Sequence, residues 1–187
     1  YSETGDSTPR VLAQIAGQWM QLDERGPRVF RWEKAGDLLK SSARLKGLPP
    51  ALRSWLEQQS ERIDLNAKAL LAIAEADQLG ARAAGLAKEG KLEHALETYE
   101  RAAHQYESVN SKSMVSREAL ASSAKLGNEA FGHLTQSLRE GAKAARPDWR
   151  HLQGRIEAGQ RFAVDGKDRA LLRRLGEACR TNLEDEG

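Results

Sequence analysis

Apolar residues recur along this chain at intervals of three and four, with charged and amide residues filling the gaps. Val11, Leu12, Ile15, Ala16, Trp19, Met20 and Leu22 form the first such stripe, opened by Thr8-Pro9 and stopped by Gly26-Pro27. Threonine then proline suits a helix start, because proline at the first helical position lacks only an N–H that would have no partner there. Val29, Phe30, Trp32, Ala35, Leu38, Leu39 and Ala43 predict a second helix, ending near Gly47 before Pro49-Pro50. From Ala51 the pattern runs on through Leu52, Trp55, Leu56, Ile63, Ala67, Leu70, Leu71, Ile73, Leu79, Ala83 and Leu86. Its apolar residues wrap around more than one side, as in a helix packed between neighbours. A bend is expected either at Asp64 to Asn66 or at Gly80.

Gly90 then marks a turn, and Leu92, Ala95, Leu96, Tyr99, Ala102, Ala103 and Tyr106 fall on one face of the helix that follows. A loop at Asn110 to Ser113 precedes a helix carrying Met114, Val115, Ala119, Leu120, Leu126, Ala130, Phe131, Leu134 and Leu138. Pro147 opens another with Trp149, Leu152, Ile156, Phe162 and Ala163, and Gly166 separates it from a last one with Leu171, Leu172, Leu175, Cys179 and Leu183. No segment alternates β-branched and polar residues, so no sheet is expected. The expected fold is all-α: a single antiparallel bundle of about seven helices over residues 8–183, between a disordered lead at 1–7 and an acidic tail at 184–187.

Residues Leu79 to Ala102 resemble one tetratricopeptide repeat. Ala83 stands at a close-packing position of a first helix, Gly90 at the turn, and Ala95, Tyr99 and Ala102 at small, aromatic and small positions of a second. The run KEGKLEHALETYERAA is also similar to the middle of microtubule-interacting-and-trafficking domains, which are three-helix bundles. Glu107 occupies the place of the repeat's closing proline, and no second copy follows. The resemblance therefore implies one helical hairpin at about 79–107, not a solenoid.

Composition agrees. Hydrophobic residues make up 40% and charged residues 30%, with only 5% aromatic, which suits one soluble helical domain of 187 residues. The net charge of +2 does not argue for nucleic acid or membrane, but its distribution is uneven. Residues 111–183 hold 14 Lys and Arg against 8 Asp and Glu. One cysteine, Cys179, excludes an intrachain disulfide and favours the cytoplasm or another reducing compartment. No apolar run reaches spanning length, so no membrane span is expected. A start at Tyr1 rather than methionine reads as a fragment of a longer protein, and a targeting signal could lie outside it.

Candidate chemistry is sparse. His94, His104, His133 and His151 form no i, i+4 pair, and His94 with Glu97 or Glu129 with His133 supplies only two of the ligands that zinc needs. Neither a metal nor a cofactor is expected. There is no nucleophile elbow, phosphate loop or zinc-protease motif, which leaves catalysis only to a site assembled across helices. Arg169, Arg173 and Arg180 lie along one flank of the last helix and could neutralise phosphates, with Arg150, Arg155 and Arg161 adding charge on the helix before. Trp19, Trp32, Trp55 and Trp149 read as core anchors. The expected function is a helical protein–protein interaction or scaffold module without catalysis of its own, binding a protein or peptide through Arg82, Lys88, Tyr99 and Tyr106. The alternative is an accessory nucleic-acid-binding domain that uses Arg169, Arg173 and Arg180.

Overall fold

The computed structural model describes residues 8–185, which form seven α-helices and no strand. They are α1 (Thr8–Arg25), α2 (Trp32–Ala43), α3 (Pro50–Lys88), α4 (Leu92–Glu107), α5 (Ser116–Ala142), α6 (Trp149–Gly159) and α7 (Gly166–Asp185), with a 3₁₀ turn at Gln160–Phe162 between the last two. The all-α expectation holds, because the 3.6-residue apolar period gave every segment a face to bury. Expectations for 1–7, Glu186 and Gly187 fall outside the described residues. Glu184 and Asp185, expected in a tail, are instead the last residues of α7. Among the described residues no helix is long and apolar enough to cross a membrane.

The chain packs as two compact units. One comprises residues up to Ile73 with Val109–Glu118; the other comprises Ala74–Ser108 with the residues from Ala119 onward. In the first, Val11, Ile15 and Leu22 of α1 and Trp32, Ala35 and Leu39 of α2 share one core with Leu56 and Ile63 of α3. Gly26, at φ +73°, ends α1, and its carbonyl accepts from the Val29 and Phe30 N–H groups. That turn holds Val29 and Phe30 outside α2, contrary to expectation. Val29 is left exposed, while Phe30 packs edge-on against Trp32 at 4.9 Å. The Trp32 indole N–H donates to the Pro27 carbonyl at 2.7 Å, so the ring is both buried and satisfied.

Trp32 is the one tryptophan that is buried. Trp19 is half-buried and packs against the core of the first unit, Trp149 is half-buried, and Trp55 lies at the surface, so the expectation of four core anchors fails for Trp55.

The α3 helix runs without a break from Pro50 to Lys88. Asn66 is only 1% exposed, and its side chain bridges two backbones: Nδ2 donates to the Arg62 carbonyl at 2.8 Å, and Oδ1 accepts from the Met114 N–H at 2.8 Å. The loop before α5 is thereby tied to α3. Gly80 serves close packing, for a Cβ there would lie 3.1 Å from Leu126 Cδ2.

In the second unit α3 ends in a Schellman turn. Gly90 takes φ +77°, the Lys91 N–H reaches the Leu86 carbonyl at 3.0 Å, and the Gly90 N–H reaches that of Ala87 at 3.1 Å. The chain reverses into α4, whose Leu92, Ala95, Leu96, Tyr99, Ala102 and Tyr106 are all buried, as are Leu126, Ala130, Phe131, Leu134 and Leu138 on α5. Helix α6 is seated by large side chains against glycine. Leu134 of α5 fills the space that a Cβ on Gly159 would occupy, and Leu152 Cδ2 lies 2.6 Å from where a Cβ on Gly141 of α5 would stand. On the other side Ile156 Cγ2 lies 3.8 Å from the corresponding position on Gly176 of α7.

Asn66→Ala removes both side-chain bonds and leaves the part-buried Met114 N–H without its partner. It should cost about 1–3 kcal/mol in urea unfolding of the full chain. An unchanged midpoint would show that water replaces the amide and that the tether is dispensable.

Candidate functional site

The four residues expected to meet a partner do not form one surface. Tyr99 is 1% exposed and Tyr106 is 4% exposed, both inside the second unit. Tyr99 stacks on His133 of α5 with centroids 6.1 Å apart, and its buried hydroxyl has no hydrogen-bond partner. Burial pushes its pKa up, and the Glu129 carboxylate pushes the same way. The Tyr106 hydroxyl donates to Asp77 of α3. The expectation that these rings face a groove is therefore corrected: α5 covers the α4 stripe, and the tyrosines are core. Arg82 and Lys88 are exposed on α3, six residues and hence about 120° apart around the helix.

Two open grooves flank α6 instead. The one shared with α4, about 540 Å³, has Leu96, Gly154 and Ala158 at its base and ionisable walls. Some of its ionisable groups have partners within the fold. Glu93 Oε1 lies 3.9 Å from His151 Nε2, an ion pair when the imidazole is protonated. Glu100 pairs with Arg161, and Arg155 Nη1 donates to Ser137 Oγ at 2.7 Å. Asp148 caps α6 by accepting from the His151 N–H at 2.9 Å. Arg150, Arg155 and Arg161 all line this groove, so they do not extend the arginine row of α7. Sequence gave the charge of these residues but not their flank.

The second groove, about 450 Å³, runs between α6 and α7. It gathers Arg169, Arg173 and Arg180 along the α7 wall, faced by Gln153 and Glu157 from α6 and Gln160 from the 3₁₀ turn. The amino-acid spacing explains the row: i, i+4 and i+11 on a 3.6-residue helix stay on one flank. Asp165 anchors the start of α7, its side chain accepting from the Asp168 N–H at 2.8 Å. That proximity and burial raise the Asp168 pKa, burial being the larger cause.

The three arginines are not equivalent. Arg169 is held at its base, Nε donating to the Ala163 carbonyl at 3.2 Å and Nη2 to that of Val164 at 3.0 Å. Arg173 and Arg180 are exposed and make no hydrogen bond or ion pair among the described residues. The facing Glu157 takes a 3.3 Å bond from Gln153. The α6 wall and Gly176 were not anticipated. Gly176 falls between Arg173 and Arg180 on the same flank, a signal present in the sequence that could have located the opening.

Such a groove can bind anions. Cys179 on α7 is buried, and burial raises its thiol pKa, which keeps it protonated and a poor nucleophile. Among the described residues no three of His, Cys, Asp and Glu converge as metal ligands. Compared with known proteins, the chain matches no family model, no curated sequence and no solved structure.

Two tyrosine substitutions test the corrected placement. Tyr99→Phe deletes a hydroxyl without a partner and should leave stability unchanged or slightly raised. Tyr106→Phe loses the bond to Asp77 and should cost about 1 kcal/mol in the same denaturant titration. Equal effects of the two would contradict the difference between these hydroxyls.

Proposed function

We propose that this chain is a helical protein-interaction module that docks a partner protein in the groove between α6 and α7. The observation that supports it is the pair Arg173 and Arg180, two exposed guanidiniums on one helix flank with no partner among the described residues. A guanidinium in that state offers forked bonds to a carboxylate at little cost in reorganisation. The rest of the second unit would act as scaffold, including the tetratricopeptide-like hairpin at 79–107 that we retain as part of this proposal. No cofactor enters the reading.

The same arginines suit the alternative of nucleic acid, and three features weigh against it. No aromatic side chain lines the groove to stack a base. Glu157 stands in the facing wall, where a continuous phosphate chain would meet it. The net charge is only +2.

The test is the charge-reversal pair Arg173→Glu/Arg180→Glu in the full chain, screened against an array of acidic, neutral and basic peptides. Acidic peptides should be retained by the unaltered protein and lose about tenfold or more in affinity with the variant. A generic single-stranded oligonucleotide, measured by anisotropy at low and high salt, separates the two readings. Tight, salt-sensitive binding of the oligonucleotide, abolished by the same variant, would replace this reading with the nucleic-acid one.

A further inference from the structure

The two arms that form the α6–α7 groove run antiparallel, and two contacts set their register. At the loop end the Ala163 carbonyl accepts from Arg169 Nε at 3.2 Å. Seven residues back from Ala163 is Ile156, and seven on from Arg169 is Gly176. Those two also face each other, Ile156 Cγ2 lying 3.8 Å from where a Cβ on Gly176 would stand. Carried along the same register, Gln160 falls beside Arg173, Glu157 beside Gly176 and Gln153 beside Arg180. Glu157, the one acid lining the groove among the described residues, therefore lies beyond Arg173. The corner made by Arg169, Arg173 and Gln160 contains no acid.

Side-chain direction widens that separation. Cα–Cβ bonds tilt toward the N-terminus of their own helix. In antiparallel arms this carries the α7 arginines toward the loop end and Glu157 away from it. Arg169 shows the effect, reaching back to the Ala163 and Val164 carbonyls just before α7. Those bonds fix the plane of its guanidinium and use two of the five N–H groups. The other N–H groups are left over, and no carboxylate among the described residues pairs with the charge. Asp165, one turn earlier, is turned into the helix cap, accepting from the Asp168 N–H. Arg173 stands one turn, about 6 Å, further along α7 and has no partner among the described residues.

Two guanidiniums one turn apart, with an amide beside them and no acid, match a dianion better than a single carboxylate. A carboxylate presents two oxygens and one charge, which one fork satisfies. A phosphoryl group presents three oxygens and a charge of about −1.5 to −2, so it can engage both guanidiniums and still accept from an amide. We propose that the loop end of the α6–α7 groove is a phosphoryl site, and that the partner docked there is a phosphoprotein whose phosphoserine or phosphothreonine enters between Arg169 and Arg173. The inference rests on the docking function proposed above and adds the chemistry of the partner. Gln160 completes the site from the 3₁₀ turn. Arg180, about 10.5 Å beyond Arg173, is too far to share that phosphoryl group and takes an acidic residue elsewhere on the docked segment. A single phosphoryl group at the loop end avoids Glu157, whereas a polyphosphate chain along the groove would meet it.

The experiment uses the full chain and immobilised degenerate peptide libraries that differ only at one fixed position, which is phosphoserine, glutamate or serine. A fluorescent oligothymidylate is the nucleic-acid probe. The phosphoserine library should retain about tenfold more protein than the glutamate library, and more again than the serine one. Arg173→Ala should reduce that retention about tenfold, and Arg173→Lys, which keeps the charge and loses the fork, should not restore it. Both variants change an exposed side chain without bonds of its own, so the fold should tolerate them. Arg169→Ala, with helix content checked by circular dichroism, should match Arg173→Ala. Arg180→Ala should instead lower the phosphoserine and glutamate libraries by a similar factor.

Equal retention by the phosphoserine and glutamate libraries, with both lost in Arg173→Glu/Arg180→Glu, would leave the docking function standing and remove the phosphoryl site. Phosphoserine retention that ignores Arg173→Ala would put the phosphoryl group elsewhere and overturn the inference. Retention by no library, or by all three alike whatever the variant, would remove the docking function and the inference together. Tighter binding of the oligothymidylate than of any peptide, abolished by the same variants, would give the groove to nucleic acid and overturn the inference as well.

Discussion

Leucine against glycine is the contact on which the second unit depends. Gly159 and Gly141 let α6 and α5 come close enough for Leu134 and Leu152 to occupy space that any larger residue would claim. Both leucines are buried, at 0% and 3% exposure, so they have little room to retreat. Close-packed interiors give such contacts a steep cost for even one added methyl. The position of α6 follows from them, and with it the width of the groove on either flank.

Charge is then divided by that position. On the α4 flank, Glu100 pairs with Arg161 and Glu93 lies 3.9 Å from His151. On the α7 flank only Arg169 is engaged, through backbone carbonyls, and Arg173 and Arg180 face solvent with Glu157 opposite. Exposed arginines alone would be an ordinary solvated edge. What raises this pair above that is the combination of a groove and a glycine gap on the same flank. The proposed docking function grows from that asymmetry.

Much of this architecture was legible in the amino-acid order. Seven helices follow from the apolar period, and the reversal at Gly90 follows from a glycine where only a left-handed residue closes the turn. Local turns and partner coverage were less legible. Phe30 fits a helical stripe on paper, but Gly26 and the Trp32 bond to Pro27 fold it back as a plug. Tyr99 and Tyr106 lie on a correctly read stripe, yet their burial depends on α5, which the stripe does not identify. The arginines divide the same way: the α7 row came from spacing alone, whereas assigning Arg150, Arg155 and Arg161 to the opposite flank required the neighbours of α6. Asn66 is the plainest gap, since its Oδ1 bond to Met114 joins residues 48 positions apart.

The most direct test of the leucine–glycine claim is a double-mutant cycle on Gly159 and Leu134, read by denaturant unfolding of the full chain. Gly159→Ala alone should cost about 1–3 kcal/mol by overpacking, and Leu134→Ala alone about 2–5 kcal/mol by leaving a cavity. Made together, the two changes should partly cancel, the double variant losing at least about 1 kcal/mol less than the sum of the singles. Strict additivity would mean that Leu134 does not hold the space beside Gly159, and the account of how α6 is seated would be wrong.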